Sequence, residues 1–187
     1  MAVVPSKMIA LGSPAPDFVL PDVVSDRMVG LGDFAGAPLL VMFLCNHCPY
    51  VQHVRREITA LDRNYRDTAL KIVAINSNDV AAYPADAPPR MRQMAEQEGW
   101  SFPFLYDESQ RVARAYGATC TPDFFLFDAT HALAYRGRLD DSQPGNGRPV
   151  TGADLRAAID AVLAGAKPAR EQHPSAGCSI KWKATLS

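Results

Sequence analysis

Apolar residues fall into two patterns along this chain: short continuous runs, and longer stretches in which they recur every three or four positions. Leu39-Leu40-Val41-Met42-Phe43-Leu44 is unbroken apolar sequence of strand length, which predicts a central strand covered on both faces in an α/β sheet. From Pro49 to about Asp67, Val51, Val54, Ile58 and Leu61 share one helical face while Arg55, Arg56, Glu57 and Arg63 take the other. A helix packed on the sheet follows. Lys71–Asn76 predicts the next strand, parallel to the first because a helix intervenes. Phe18–Leu20 and Met28–Gly30, joined by a turn through Asp22–Asp26, predict an N-terminal hairpin. Pro84, Pro88 and Pro89 exclude regular structure from Asp79–Pro89 and lead into a helix from about Arg90 to Glu98, stopped by Gly99. A short helix over Ser109–Tyr116 precedes Gly117, and Phe124–Phe127 with Leu133–Arg136 form a second hairpin. Asp140–Pro149 is a polar loop, and Leu155, Ile159, Val162 and Leu163 mark a last helix.

The tail has a period of two. Cys178, Ile180 and Trp182 alternate with Ser179, Lys181 and Lys183, which predicts an extended segment docked through its first three side chains, with Trp182 as clasp and the lysines towards water. The whole reads as one α/β domain over residues 1–187, with 166–187 as the C-terminal tail. At 48% hydrophobic residues, a chain this long builds a core without disulfide staples. Four cysteines are too few for a disulfide scaffold, and Pro5 and Lys7 break Met1–Leu11 before any signal-type core develops, so the expected setting is reducing and cytoplasmic. Nineteen basic residues against twenty acidic ones leave a net charge of −1, with no basic block and no apolar run of membrane-spanning length. Neither nucleic acid nor membrane is an expected partner.

The chemistry centres on Cys45-Asn46-His47-Cys48, placed where the central strand hands over to its helix. A helix N-terminus favours negative charge, and a second thiol three residues on lies within reach of the first, so the spacing predicts a redox pair. Cys45, at or before the helix start and open to solvent, is the expected nucleophile; Cys48, in the first turn, is the expected resolving thiol. His47 between them is placed to stabilise the Cys45 thiolate as a cation or donor. A zinc site lacks a second close ligand pair among Cys120, Cys178, His53, His131 and His173, and c-type haem attachment would need histidine where Pro49 stands. No metal and no cofactor are expected.

Some seventy residues beyond the cysteines, Thr121-Pro122 precedes the apolar strand Phe124–Phe127. This combination resembles the thioredoxin superfamily, and the likeness implies a thioredoxin fold: a central mixed sheet flanked by helices, with an N-terminal hairpin extension and a docked C-terminal tail. It also implies a cis-proline at Pro122 opposite the redox pair and a Thr121 backbone that binds extended substrate. Leu11-Gly12-Ser13-Pro14-Ala15-Pro16-Asp17-Phe18, Leu31–Gly36, Phe102–Glu108 and Ala115–Gly117 are similar to peroxiredoxin-like proteins of the redoxin or AhpC/TSA type, which carry an antioxidant, redox-homeostatic role. Two departures count against a specialised peroxidase. Met42 stands where the peroxidase hydroxyl residue belongs, and Pro122 falls near the place of its arginine. Leu39 likewise replaces the buried acid of thioredoxin itself.

The resulting expectation is a thiol–disulfide oxidoreductase acting on protein or small-molecule disulfides and thiols, reduced by a thiol donor such as a thioredoxin or a low-molecular-weight thiol. Two alternatives stand beside it: a thiol peroxidase with Cys45 peroxidatic, and a copper or zinc carrier using Cys45, Cys48 and a histidine. Cys120 is a second modulator of the site, and Cys120 with Cys178 forms a candidate secondary thiol pair.

Overall fold

The computed structural model describes residues 3–184; residues 1–2 and 185–187, the outer ends of the N-terminal segment and of the tail, lie outside the described residues. In chain order the strands are β1 (Val3–Pro5), β2 (Val19–Pro21), β3 (Met28–Gly30), β4 (Leu39–Phe43), β5 (Lys71–Asn76), β6 (Phe104–Tyr106), β7 (Cys120–Thr121), β8 (Asp123–Phe127), β9 (Leu133–Gly137) and β10 (Ala176–Ser179). The helices are α1 (Pro49–Tyr65), α2 (Pro88–Glu98), α3 (Arg111–Tyr116) and α4 (Ala153–Leu163). A five-stranded mixed sheet of order β6-β5-β4-β8-β9 forms the centre. β4 runs parallel to β5 and antiparallel to β8, with Phe43 beside Ile75 on one side and Asp123 on the other.

The unbroken apolar run of β4 is explained by its neighbours. Leu40 and Met42 point into a core built with Val51, Val54, Ile58 and Leu61 of α1 and Leu155 and Ile159 of α4. Leu39, Val41 and Phe43 point into the opposite core, with Phe18, Phe34, Tyr116 and Phe125. Each such side chain taken fully out of water contributes roughly 1.5–3 kcal/mol. The sheet therefore holds β4 rigidly and fixes where its C-terminal end delivers the chain. The expected hairpins form, β2 with β3 and β8 with β9, both antiparallel.

α1 begins at Pro49, as its periodicity predicts, so Cys48, expected in the first turn, stands just before it. Pro49 takes the first helical position, where its missing N–H costs nothing, and Cys48 becomes the N-cap in extended conformation (φ −74°, ψ 122°). α2 starts at Pro88 for the same reason, two residues before the predicted Arg90, and Gly99 ends it in the left-handed region. The proline-rich excursion contains a short 3₁₀ turn, Pro84–Asp86, that carries Asp86 inward.

The tail docks as a strand. β10 lies between β1 and β7 in an antiparallel ribbon, with Val3 opposite Cys178 and Cys178 opposite Thr121. The expected single docking face is corrected: Cys178 enters the core with α1, Ile180 enters the opposite core, and Trp182 is 37% exposed beneath the Arg114 guanidinium. The ladder runs on in register past Ser179, with Ile180 N–H bonding Thr119 O, so the segment stays extended while Cys178 and Ile180 pack in different cores. Lys181 is half-buried, its ammonium on Ser179 O. None of the described helices is long and apolar enough to cross a membrane.

Candidate active site

The end of β4 and the start of α1 bring Cys45 and Cys48 together, and the peptide Thr121–Pro122, which is cis, closes over them. Thr121 touches both sulfurs. Its hydroxyl Oγ1 lies 3.1 Å from Cys45 Sγ, and its carbonyl oxygen lies 3.2 Å from Cys48 Sγ, where it accepts the thiol proton when Cys48 carries one. The expected meeting of redox pair and proline segment is present.

The two thiols share a proton unequally. Cys48 is pulled down to about 5, first by the hydrogen bond from the Cys45 thiol, and further by the Cys178 thiol and the N–H groups of Val51 and Cys178, against burial. These four donors outweigh the Thr121 carbonyl on its other side. Cys45 is pushed well above the ordinary thiol range, first by that same bond to Cys48, then by burial and by the negative charge of Asp86. The pull on Cys48 and the push on Cys45 share one first cause, the interaction between the two sulfurs, and the Val51 N–H in the first turn of α1 adds to the pull on Cys48.

Solvent access is also corrected. Cys45 and Cys48 are both 0% exposed, because β10 covers the Thr121 side and the Asp86 turn closes the other.

Asp86 is a site residue the sequence did not reveal. Fully buried, it accepts Asn46 N–H (2.7 Å) and His47 N–H (3.1 Å) on Oδ1, and meets His47 Nδ1 (2.5 Å) and Asn78 Nδ2 (2.8 Å) on Oδ2. It pins the whole Cys45–Cys48 loop. A carboxylate among prolines, forty residues away, leaves no periodic signal. His47, expected to act directly on Cys45, instead meets Asp86 through Nδ1 and stacks on Tyr83 at 5.2 Å. Its Nε2 is buried without a protein partner.

Cys45, His47 and Asp86 hold their ligand atoms within 4.8 Å of one another. Both Asp86 oxygens are already engaged by two donors each, and three groups fall short of a closed four-ligand zinc site. The donor set suits a loop clamp better than a metal.

The predicted pairing of Cys120 with Cys178 does not hold. They stand on adjacent rungs of the β7–β10 ladder, Cys120 opposite Ser179 and Cys178 opposite Thr121, so their side chains leave by opposite faces. Cys120 turns towards Pro122 O (3.8 Å) and buried Asp123, and its thiol is raised far above the usual range by burial and then by Asp123. Cys178 is 3% exposed beside Cys48; burial, and after it the Cys48 sulfur, push its thiol up to about 12, while the Tyr50 N–H at the start of α1 opposes the rise. The edge of Thr121 expected to bind extended substrate is taken by this same strand.

Comparison with known proteins agrees with this arrangement. A family model described as Redoxin matches residues 10–155. The structure is similar to that of an uncharacterized conserved protein from Geobacillus kaustophilus, with 50% identity, a TM-score of 0.97 and coverage of 100% of this chain and 99% of that one. A hypothetical protein from Sinorhizobium meliloti is 48% identical, with a TM-score of 0.93, over 96% of this chain and 98% of its own. Among curated relatives, the thiol-disulfide oxidoreductase ResA of Geobacillus thermodenitrificans is 29% identical over 120 residues, so the chain spans 64% of that relative's length. Thioredoxin-fold neighbours at lower identity, such as a putative thioredoxin from Neisseria meningitidis, share the fold. With the family pattern covering most of the sequence and the cysteine pair set against a cis-proline, this chain belongs to the Redoxin family, within the thioredoxin superfamily.

Proposed function

We propose that the chain is a thiol–disulfide oxidoreductase in which Cys45 joins the substrate and Cys48 both activates and resolves it. The observation that supports this most is the pair of thiols delivered by the end of β4 to the start of α1, both in contact with Thr121 beside its cis peptide bond to Pro122. In the first step the Cys48 thiolate takes the Cys45 proton as Cys45 sulfur attacks a substrate disulfide; a Cys45–substrate disulfide forms and one substrate thiolate leaves. That thiolate recovers the proton from Cys48. The Cys48 thiolate then attacks Cys45 sulfur, the intramolecular disulfide forms, and the second substrate thiolate departs. The substrate gains two electrons and the protein loses two; a reduced thiol donor, a thioredoxin or a small thiol, reverses the change.

Magnitudes decide what the acidity of Cys48 does. At pH 7 a thiol near 5 is almost wholly ionised, about thirty-fold more than one near 8.5, but a Brønsted slope of about 0.4–0.5 removes roughly the same factor in nucleophilicity. Attack is no faster. What remains is a weak proton acceptor beside Cys45, a good leaving group and a stabilised reduced form, and the last makes the Cys45–Cys48 disulfide more oxidising. A peroxidase reading receives less support, since Cys45 faces Thr121 and Asp86 and, among the described residues, no arginine bonds to it.

The test is trapping. Cys48→Ser incubated with a small-molecule disulfide should accumulate a mixed disulfide at Cys45 by mass spectrometry, while the parent turns over. A mixed disulfide that accumulates only in Cys45→Ser would reverse the roles, and none in either variant would end the proposal.

A further inference from the structure

The strand β10 occupies the place where a partner strand would lie against the proline segment, and it brings a cysteine with it. Cys178 pairs across from Thr121, the residue that touches both redox sulfurs. Cys45, Cys48 and Cys178 belong to one buried cluster with Val51. The strand is fitted closely: a Cβ on Gly177 would stand 2.1 Å from Thr121 O, so only glycine allows this approach. Ser175 Oγ donates to Pro122 O at 2.6 Å, and beyond the strand Lys181 N–H donates to Asn78 Oδ1 while Gln110 Nε2 donates to Lys181 O. None of these contacts is needed to hold two cysteines in a loop.

We propose that Cys178 is a third redox thiol, which exchanges into the Cys45–Cys48 disulfide at the sulfur of Cys48. The inference deepens the oxidoreductase reading and rests on it. The three cysteines meet around Thr121: Cys45 Sγ lies 3.1 Å from its hydroxyl, Cys48 Sγ 3.2 Å from its carbonyl oxygen, and Cys178 is its partner across the ladder, packed in the same cluster as Cys48. In the exchange, Cys178 sulfur attacks Cys48 sulfur, the Cys48–Cys178 bond forms, the Cys45–Cys48 bond breaks, and Cys45 leaves as a thiolate that takes up the proton Cys178 gave away. No net oxidation occurs. The disulfide moves from the loop to the tail, and Cys45 becomes a free thiol again.

The surroundings of Cys178 change in step with the redox state. In the reduced form the charge on Cys48 is one of the causes that hold the Cys178 proton in place. Once Cys48 is in a disulfide that charge is gone, while the Tyr50 N–H and the Lys181 ammonium still favour a Cys178 thiolate. Burial, the largest cause of the raised Cys178 thiol, stays, but oxidation of the loop removes the part of the opposition that comes from Cys48.

The experiment isolates the new bond. Cys45→Ser keeps three of the chain's four cysteines. Oxidised with diamide, quenched in acid, unfolded and alkylated, it should lose two of its three thiols and yield a Cys48–Cys178 linked peptide within one chain. Cys45→Ser with Cys178→Ser should lose neither remaining thiol to an intramolecular bond. In the parent, oxidised and then alkylated the same way, part of the label should fall on Cys45 with Cys48–Cys178 linked. A parent that forms the Cys45–Cys48 disulfide while Cys45→Ser keeps Cys48 and Cys178 free, or links them only between chains, overturns this inference and leaves the oxidoreductase reading standing. A parent that forms no Cys45–Cys48 disulfide overturns that reading first. If Cys45→Ser fails to fold, the position of the label in the parent decides alone, and label found on Cys120 and Cys178 but never on Cys45 refutes the exchange.

Discussion

Gly177→Ala tests whether the tail strand is the roof that closes the site. The added Cβ would stand 2.1 Å from Thr121 O, 2.7 Å from Thr121 C and 3.3 Å from Pro122 Cδ. Two of these are backbone atoms of Thr121 in β7, so the tail must give way by roughly 1.3 Å or more to reach ordinary contact. Overpacking of this kind costs roughly 1–3 kcal/mol, and it falls on the contact that keeps β10 against β7. If opening of the roof limits access to the sulfurs, about 2 kcal/mol raises the open population roughly thirty-fold. The assay is the alkylation rate of the reduced protein at pH 7, with peptide mapping of the label on Cys45 and Cys48. The parent should react slowly, as both thiols are closed to solvent. The variant should react on the order of ten- to hundred-fold faster while far-ultraviolet circular dichroism and cooperative melting are retained. A folded variant whose rate stays within about twofold of the parent would refute the roof, since the clash would then have been absorbed without uncovering the pair.

Three further outcomes are expected. Thiolate absorbance of the reduced protein should rise with an apparent midpoint near 5 that belongs to the Cys45–Cys48 pair and disappears in Cys48→Ser. Because the native state then binds fewer protons than the unfolded chain between about pH 5 and 8.5, reduced-protein stability should gain from this pair across that window as pH rises; absence of any thiolate signal below pH 7 would contradict it. Asp86→Ala strands the N–H donors of Asn46, His47 and Asn78 and should cost about 3–5 kcal/mol in urea unfolding; a loss under about 1 kcal/mol would show that the clamp is not needed. Asp123 is raised well above the usual carboxylate range by burial, and its Oδ2 has no partner, so the native state holds a proton the unfolded chain releases above about pH 4. Asp123→Asn should therefore gain on the parent as pH rises, by up to about 1.4 kcal/mol per unit, and a pH-independent difference would disprove the protonated carboxyl.

The fold was legible wherever a local pattern met a local need. β4, α1, β5 and the two hairpins follow from runs and spacings that fit a sheet covered on both faces, and Cys45 with Cys48 follows from their place between two such elements. β6, β7 and β10 are short strands whose existence depends on what lies across from them, and such pairing leaves no periodicity in the pairing segment itself. The tail illustrates the limit. Its alternation correctly predicted docking, but not that Cys178 and Ile180 would pack in different cores, which depends on the elements that lie against them. The cysteine spacing placed both thiols at the start of α1, but it carried no sign of the interaction that lowers one and raises the other. Asp86 was hidden altogether, as its role comes from being folded under a loop to which no sequence pattern connects it.

The placement of β1 on the outer edge of β10 bears on how such a site can be uncovered. Val3 faces Cys178, Ser6 N–H bonds Ser175 O, and Thr119 Oγ1 donates to Pro5 O. The first strand thus grips both the tail and the segment the tail covers, like a strap fastened on either side of a flap. Unzipping β10 from β7 would either drag residues 3–6 along or strip them of their partners, so any reagent, substrate or fusion that disturbs the opening of the chain is felt at sulfurs more than forty positions away.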